Sequence, residues 1–358
     1  MSNLRLGIVG LHNHYHAYPF AQELKKGIDG LELVAVADDR ADLAKTFADE
    51  YCDGNYSDDY ATVVQRSDVD AVIVTSYTSA HASHVALAAA AGKPVLLDKP
   101  IATTLEDAAD IVRSASKVKV MMAYLLRFLP AYQRIYEAVE AGAVGDLVSG
   151  FYSIRFPAGF IKDSPGATDQ GWYRDPIKGG GGGFIDHGVH FTDFFRWFFK
   201  SEAKSVTGHM GSLTYKDLGV EDYGIATYTL ESGAIVTVES TWHAPDYFGP
   251  LSSPDHASLS GTRGEIELHY QKSPQTEIQG TGPGWTGRSY FDFVGDDRYE
   301  NCYRNLLIAF RDSVTNDKEP VPDVEDGFRA LEMILAAYES DRTGRRVLFP
   351  FRSGGNAQ

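Results

Sequence analysis

Several residue groups have the types and spacing to do chemistry. Asp98-Lys99-Pro100 follows the apolar run Pro94–Leu97. An ammonium at the carboxyl end of a buried strand can hold a substrate hydroxyl and stabilise the alkoxide that develops during hydride transfer. Pro100 restricts Lys99 to extended backbone, which aims the side chain out of the strand. The bland alternative is a solvated lysine before a turn. Asp186 and His190 are reached through the glycine run Gly179–Gly183. At about 100° per residue, Asp186, His190, Asp193 and Trp197 share one helical stripe, beside an apolar face of Phe191, Phe194, Phe195 and Phe198. An i, i+4 acid and imidazole at a helix start suit an oriented general base. A capping aspartate with a core histidine is the alternative, and a zinc site lacks a clear third ligand.

A second set suits a dinucleotide. Gly10 ends the run Leu4–Val9, where a G-x-G-x-x-G turn would place further glycines at 12 and 15, but His12 and Tyr15 stand there. The following helix start can still offer N–H groups to a phosphate. Asp38 closes Leu31–Ala37 and can accept both ribose hydroxyls of an adenosine, with helix capping as the alternative. A 2′-phosphate would meet Asp38 and Asp39 with only Arg40 to compensate, so NAD is expected over NADP. His12, His14 and His16 alternate, but residues two apart diverge in a turn or helix start. No metal is expected, and local hydrogen bonding near the cofactor or substrate mouth is. Trp172, Tyr173 and Arg174 in the irregular segment Pro157–Lys178 suit sugar stacking and hydroxyl binding, or simple loop packing.

The elements that must position these residues alternate at first. Apolar runs at Leu4–Val9, Leu31–Ala37, Ala71–Thr75, Pro94–Leu97 and Val118–Ala123 are separated by helical stretches at Ala17–Lys26, Ala41–Tyr51, His84–Ala91 and Leu105–Ser116. Strands without polar alternation imply a parallel sheet buried on both faces. The expected fold is α/β followed by α+β: a Rossmann doubly wound parallel sheet over 1–123, a substrate-binding domain over 124–350, and a frayed tail over 351–358. In the second domain, strand-like segments at Leu147–Phe156, Ala203–Gly211, Tyr223–Glu231, Ala234–His243, His256–Gly261 and Gly264–Tyr270 often alternate polar and apolar residues. That pattern implies an open, mainly antiparallel β-sheet flanked by helices. Helices at Tyr299–Thr315 and Asp326–Thr343 close the chain.

Composition narrows the function classes. The chain has 358 residues and a net charge of −16. Phosphate backbones and anionic lipid repel such a surface, so neither nucleic acid nor membrane is an expected partner. Two separated cysteines, Cys52 and Cys302, cannot build a disulfide framework. No apolar run approaches the ~20 residues of a membrane span, and the first residues run directly into a strand, so a cytoplasmic protein is expected.

Taken together, the motifs resemble those of the glucose–fructose oxidoreductase / inositol dehydrogenase (Gfo/Idh/MocA) family of nicotinamide-dependent enzymes. The similarity runs over nearly the whole chain. Its carriers are LVAVAD at 33–38, Tyr56-Ser57-Asp58, DAVIVTSYTSAH at 70–81, AGKPVLLDKPIA at 91–102, AYLLRF at 123–128, GGGGFIDHGVHFTDFFRW at 180–197 and EDGFRALEMILAAYES at 325–340. The resemblance implies that Lys99, Asp186 and His190 are catalytic, with Asp98 in place of the family's glutamate. It implies cofactor contacts at Gly10, His12, Asn13, Asp38, Ser76, Tyr77, His81, Asp98 and Lys99. Substrate contacts would come from Lys99, Arg127, Trp172, Arg174, Asp186 and His190, and a homodimer or homotetramer would form through the C-terminal sheet. The expected activity is NAD-dependent oxidation of a secondary hydroxyl of a sugar, an inositol-like polyol or a related carbohydrate. Glycoside cleavage with recycled NAD is the alternative, and a non-catalytic dinucleotide-binding regulator is a third reading.

Overall fold

The computed structural model describes residues 3–156, 170–243, 255–270, 275–284, 287–292 and 300–352. Most of the segment Pro157–Lys178 (157–169) and the tail from 353 onward lie outside the described residues. Two compact units emerge.

The first unit contains Met1–Phe128, Ile177–Gly180 and Tyr299–Phe328. Its elements are β1 (Leu4–Val9), α1 (His14–Lys26), β2 (Leu31–Ala37), α2 (Ala41–Tyr51), β3 (Tyr56–Ser57), α3 (Tyr60–Val64), β4 (Ala71–Val74), α4 (His81–Ala90), β5 (Val95–Leu97), α5 (Leu105–Ser114) and β6 (Val120–Met122). All six strands run parallel in the order β3-β2-β1-β4-β5-β6. This is the doubly wound arrangement, with the reversal of strand order between β1 and β4. Both sheet faces are covered, which is why Leu6, Ile8, Val36, Ile73 and Leu96 have no exposed surface. Burying each such side chain contributes about 1.5–3 kcal/mol before chain entropy is counted.

Helix α1 begins three residues earlier than its apolar pattern suggests, at His14 instead of Ala17. The polar His14 and His16 hide the helical period there, while Asn13 takes the capping position. The compact units also differ from a continuous division near residue 123. The later chain returns to the first sheet: the Met122 N–H donates to the Pro322 carbonyl at 3.0 Å, and Lys119 Nζ donates to the carbonyls of Ser313 and Lys318, each at 2.9 Å.

The second unit contains Leu129–Pro176, Gly181–Arg298 and Arg329–Gln358. It begins with α6 (Pro130–Glu140), a helix with proline in its first turn that the sequence reading did not assign. Strand β7 (Leu147–Arg155) precedes α7 (Gly183–Phe199), followed by β8 (Ala203–Gly211), β9 (Tyr223–Leu230), β10 (Ile235–Thr241), β11 (Asp255–Gly261), β12 (Gly264–Tyr270), β13 (Gln275–Gly280) and β14 (Gly287–Asp292). Helix α8 (Glu300–Thr315) belongs to the first unit, and α9 (Val324–Thr343) precedes β15 (Val347–Leu348). The sheet order is β14-β13-β12-β11-β7-β10-β9-β8-β15, with β7 and β10 parallel and the other pairs antiparallel. Helix α7 packs on β7, β9 and β10. There the Phe191 ring stacks on Tyr152 with centroids 3.8 Å apart. Among the described residues, no helix is long and apolar enough to cross a membrane.

Candidate active site

Parallel strands deliver their carboxyl ends to one edge of the first sheet. Gly10 leaves β1 at φ +85°, and a Cβ there would lie 2.6 Å from the Ser76 backbone, so only glycine lets the ends of β1 and β4 approach this closely. The Thr75 hydroxyl donates to the Gly10 carbonyl at 2.5 Å. Asp38, fully buried after β2, accepts Arg40 Nε at 2.7 Å, Arg40 Nη2 at 3.0 Å and the Leu11 N–H at 2.6 Å. Burial would raise its carboxyl, but the Arg40 guanidinium, the nearby His12 and the Leu11 amide hold it below the usual carboxylate range.

The three alternating histidines separate. His12 lies 3.2 Å from Asp39 and packs its ring 3.6 Å from that of Tyr77. His14 contacts Tyr15, and His16 turns to Asp98. His12, Asp38 and Asp39 bring one potential ligand atom each to within 4.8 Å of one another, but Arg40 already engages both Asp38 oxygens. A cation there would have to displace a guanidinium.

At the end of β5, Asp98 accepts Asn13 Nδ2 at 2.6 Å and the Lys99 N–H at 2.7 Å. Lys99 is itself 5% exposed. Ser76 Oγ lies 2.8 Å from His84 Nδ1, and His81 Nδ1 lies 2.9 Å from the Pro100 carbonyl. Lys178 Nζ sits 4.4 Å from the Tyr77 ring centroid. Arg127 is paired with Asp326 at 3.1 Å.

A nicotinamide dinucleotide suits these residues. Asn13 spends its side chain on Asp98 and does not cap α1, whose first turn carries no acidic residue. The positive end of that helix dipole receives no carboxylate from its own turn and would attract a pyrophosphate, with the Asp98 carboxylate beside it. Gly10 would leave room for the phosphates at the α1 start, Asp38 would face the adenosine ribose, and Ser76, Tyr77 and Lys99 the remaining half.

In the second unit, Asp186 and His190 lie on α7, one turn apart. The Trp242 indole N–H donates to Asp186 Oδ2 at 3.1 Å, and His187 Nδ1 lies 3.2 Å from the same oxygen. His190 is 6% exposed. The glycine run serves close packing: a Cβ on Gly182 would lie 2.0 Å from the Glu221 carbonyl oxygen. Glu221 Oε1 accepts the Gly182 and Phe184 N–H groups at 2.9 and 3.0 Å and the Tyr338 hydroxyl at 2.6 Å. Burial pushes the Glu221 carboxyl up, while these donors oppose it. Trp172 is buried and stacks on Tyr173 at 3.9 Å, whereas Arg174 is exposed.

Sequence reasoning named His16 for local hydrogen bonding without its partner Asp98, and it missed Trp242 on Asp186 and Glu221 at the start of α7. The i, i+3 spacing of Asn13 and His16 could have signalled the shared partner. The other two are long-range and leave no local signature.

Against known families, residues 4–125 match an oxidoreductase family with an NAD-binding Rossmann fold, and residues 132–267 match the GFO/IDH/MocA C-terminal domain. The chain is 30% identical over 351 residues to the inositol 2-dehydrogenase of Acidothermus cellulolyticus, covering 96% of this chain and 94% of that one. The chain belongs to the Gfo/Idh/MocA family. This family member is a nicotinamide-dependent oxidoreductase. It is also 28% identical to scyllo-inositol 2-dehydrogenase (NAD(+)) of Bacillus subtilis, over 96% of each chain. Its fold matches the crystal structure of an oxidoreductase domain protein from Kribbella flavida with a TM-score of 0.85 at 19% identity, covering 98% of this chain and 100% of that one.

Proposed function

We propose that this enzyme oxidises a secondary hydroxyl of a sugar or inositol-like polyol, with NAD preferred over NADP. The observation that carries the reading is Lys99, a nearly buried lysine directly after the Asp98 strand end on the carboxyl edge of a dinucleotide sheet. The names of the inositol dehydrogenase relatives support the substrate class. A bound NAD supplies the hydride acceptor. His190 removes the hydroxyl proton, Asp186 holds the hydroxyl and favours the imidazolium, and the Lys99 ammonium stabilises charge growing on the oxygen. Arg127, Trp172 and Arg174 complete the proposed substrate contacts. Asp38 and Asp39 underlie the NAD preference, because a 2′-phosphate would face two carboxylates against one guanidinium.

The same proposal includes a homodimer or homotetramer formed through the open sheet, where Val148 on β7 and Ile235 on β10 stand 47% and 51% exposed. Light scattering tests that part, and a monomer would refute it. The activity is tested by following NADH absorbance with a panel of inositols and monosaccharides, using the wild type and Lys99→Met. Methionine preserves length while removing the charge, so kcat/KM should fall about 10²–10³-fold with an unchanged melt. An active Lys99→Met enzyme would remove the proposed electrophile.

A further inference from the structure

Asp98 is a carboxylate 1% exposed that gathers three donors within the first unit. Asn13 Nδ2 donates to Oδ2 at 2.6 Å, the Lys99 N–H donates to Oδ1 at 2.7 Å, and His16 Nδ1 lies 2.5 Å from Oδ1. An ionised carboxylate only accepts, so the proton in the last contact belongs to His16. Burial acts to raise the Asp98 carboxyl, but His16 and the Lys99 charge hold it low and therefore ionised. Asn13 and His16 are three residues apart at the start of α1, so both reach the same side. The His16 ring is held edge-on by Phe20 and Tyr303, with centroids 6.5 and 5.8 Å away, and the Tyr303 hydroxyl donates to the Tyr15 carbonyl at 3.0 Å. Beyond Lys99, His81 Nδ1 faces the Pro100 and Ile101 carbonyls at 2.9 and 3.2 Å. Carbonyls cannot donate, so that nitrogen also carries its proton. Lys99 is thus flanked by two histidine-anchored backbone segments.

We propose that His16, assisted by Asn13, is a positioning residue that clamps Asp98 and thereby fixes Lys99, tying the start of α1 to the strand end that presents the ammonium. The functional consequence rests on the reading of Lys99 given above, whereas the clamp itself can be measured without turnover. His16→Leu keeps bulk and removes the donor. His16→Asn places an amide nitrogen near the position of Nδ1, and Asn13→Ala releases the other Asp98 oxygen.

Intact protein is treated with acetic anhydride, and acetylation of Lys99 is quantified by peptide mass spectrometry against the other lysines. Losing a charge-assisted hydrogen bond should speed Lys99 acetylation about 10-fold in His16→Leu and in Asn13→Ala. His16→Asn should stay within about 3-fold of the wild type. In parallel, kcat should fall about 10-fold in His16→Leu and recover in His16→Asn, with the KM for NAD nearly constant. Unchanged Lys99 acetylation in both donor-deleting variants overturns the clamp, as does a His16→Asn protein that behaves like His16→Leu. If His16→Leu fails to fold, Asn13→Ala decides. Should Lys99→Met remain active, the catalytic reading fails while the acetylation result still judges the clamp.

Discussion

Glu221→Ala is the substitution whose effect can be worked out most fully. The side chain is half-buried, and its Oε1 accepts two main-chain N–H groups at the start of α7 and the Tyr338 hydroxyl. Alanine strands all three donors. At about 1 kcal/mol each, the low end for a part-buried site, the loss comes to about 3 kcal/mol. For domains of 150–250 residues, 1 kcal/mol moves Tm by about 2–4 °C, so a fall of about 6–12 °C is expected by calorimetry. Glu221→Gln keeps an acceptor oxygen and serves as the control. Because burial raises the Glu221 carboxyl above its unfolded value, its contribution is present at low pH and is lost as pH rises through the folded value. At neutral pH the ionised form is penalised, and a neutral amide removes that penalty while giving up charge-assisted strength. Glu221→Gln should therefore change stability by less than about 1 kcal/mol. Since α7 carries Asp186 and His190, Glu221→Ala should also lower kcat below the melting range. A Glu221→Ala protein that melts like the wild type, or a glutamine variant as damaged as the alanine one, would refute the capping argument.

Trp242→Phe deletes the indole N–H on Asp186 and part of a fully buried ring system, so kcat should drop about 10-fold and the melt should fall as well; full turnover would detach Trp242 from the reaction. Asp38→Ser combined with Asp39→Arg should narrow the preference for NAD, as read by the Kd values of NAD and NADP, and tighter NADP binding by the wild type would contradict the charge argument. Burial, with His81 and His12 nearby, lowers His84 from 6.5 to about 4, so the unfolded chain binds more protons between those values. Its contribution is complete above pH 6.5 and is lost as pH falls toward 4, by up to about 1.4 kcal/mol per pH unit. Urea midpoints across that window should flatten in His84→Asn, and an equal slope would exclude this histidine as a cause.

The sequence alone determined the parallel sheet, because β1, β2, β4 and β5 are runs of apolar residues that only two-sided burial explains. It also determined Gly10, Asp38 and Asp98 as strand-end positions, since each directly follows such a run, with Lys99 next after Asp98. The bounds of α2, β8 and β12 follow equally from local period and turn residues. Weaker periods failed: β13, β14 and β15 left no readable alternation, and the histidines obscured the start of α1.

Tertiary structure decided what each site residue touches. That Asp98 meets Asn13 and His16 depends on bringing together residues 85 and 82 positions apart. The Trp242–Asp186 bond spans 56 positions, and Glu221 reaches α7 across 39 and 37. Propensity and spacing act over one or two turns of chain, whereas these contacts arise from strand order and packing. The sequence could therefore nominate the side chains for chemistry, but only the fold could supply the partners that orient them.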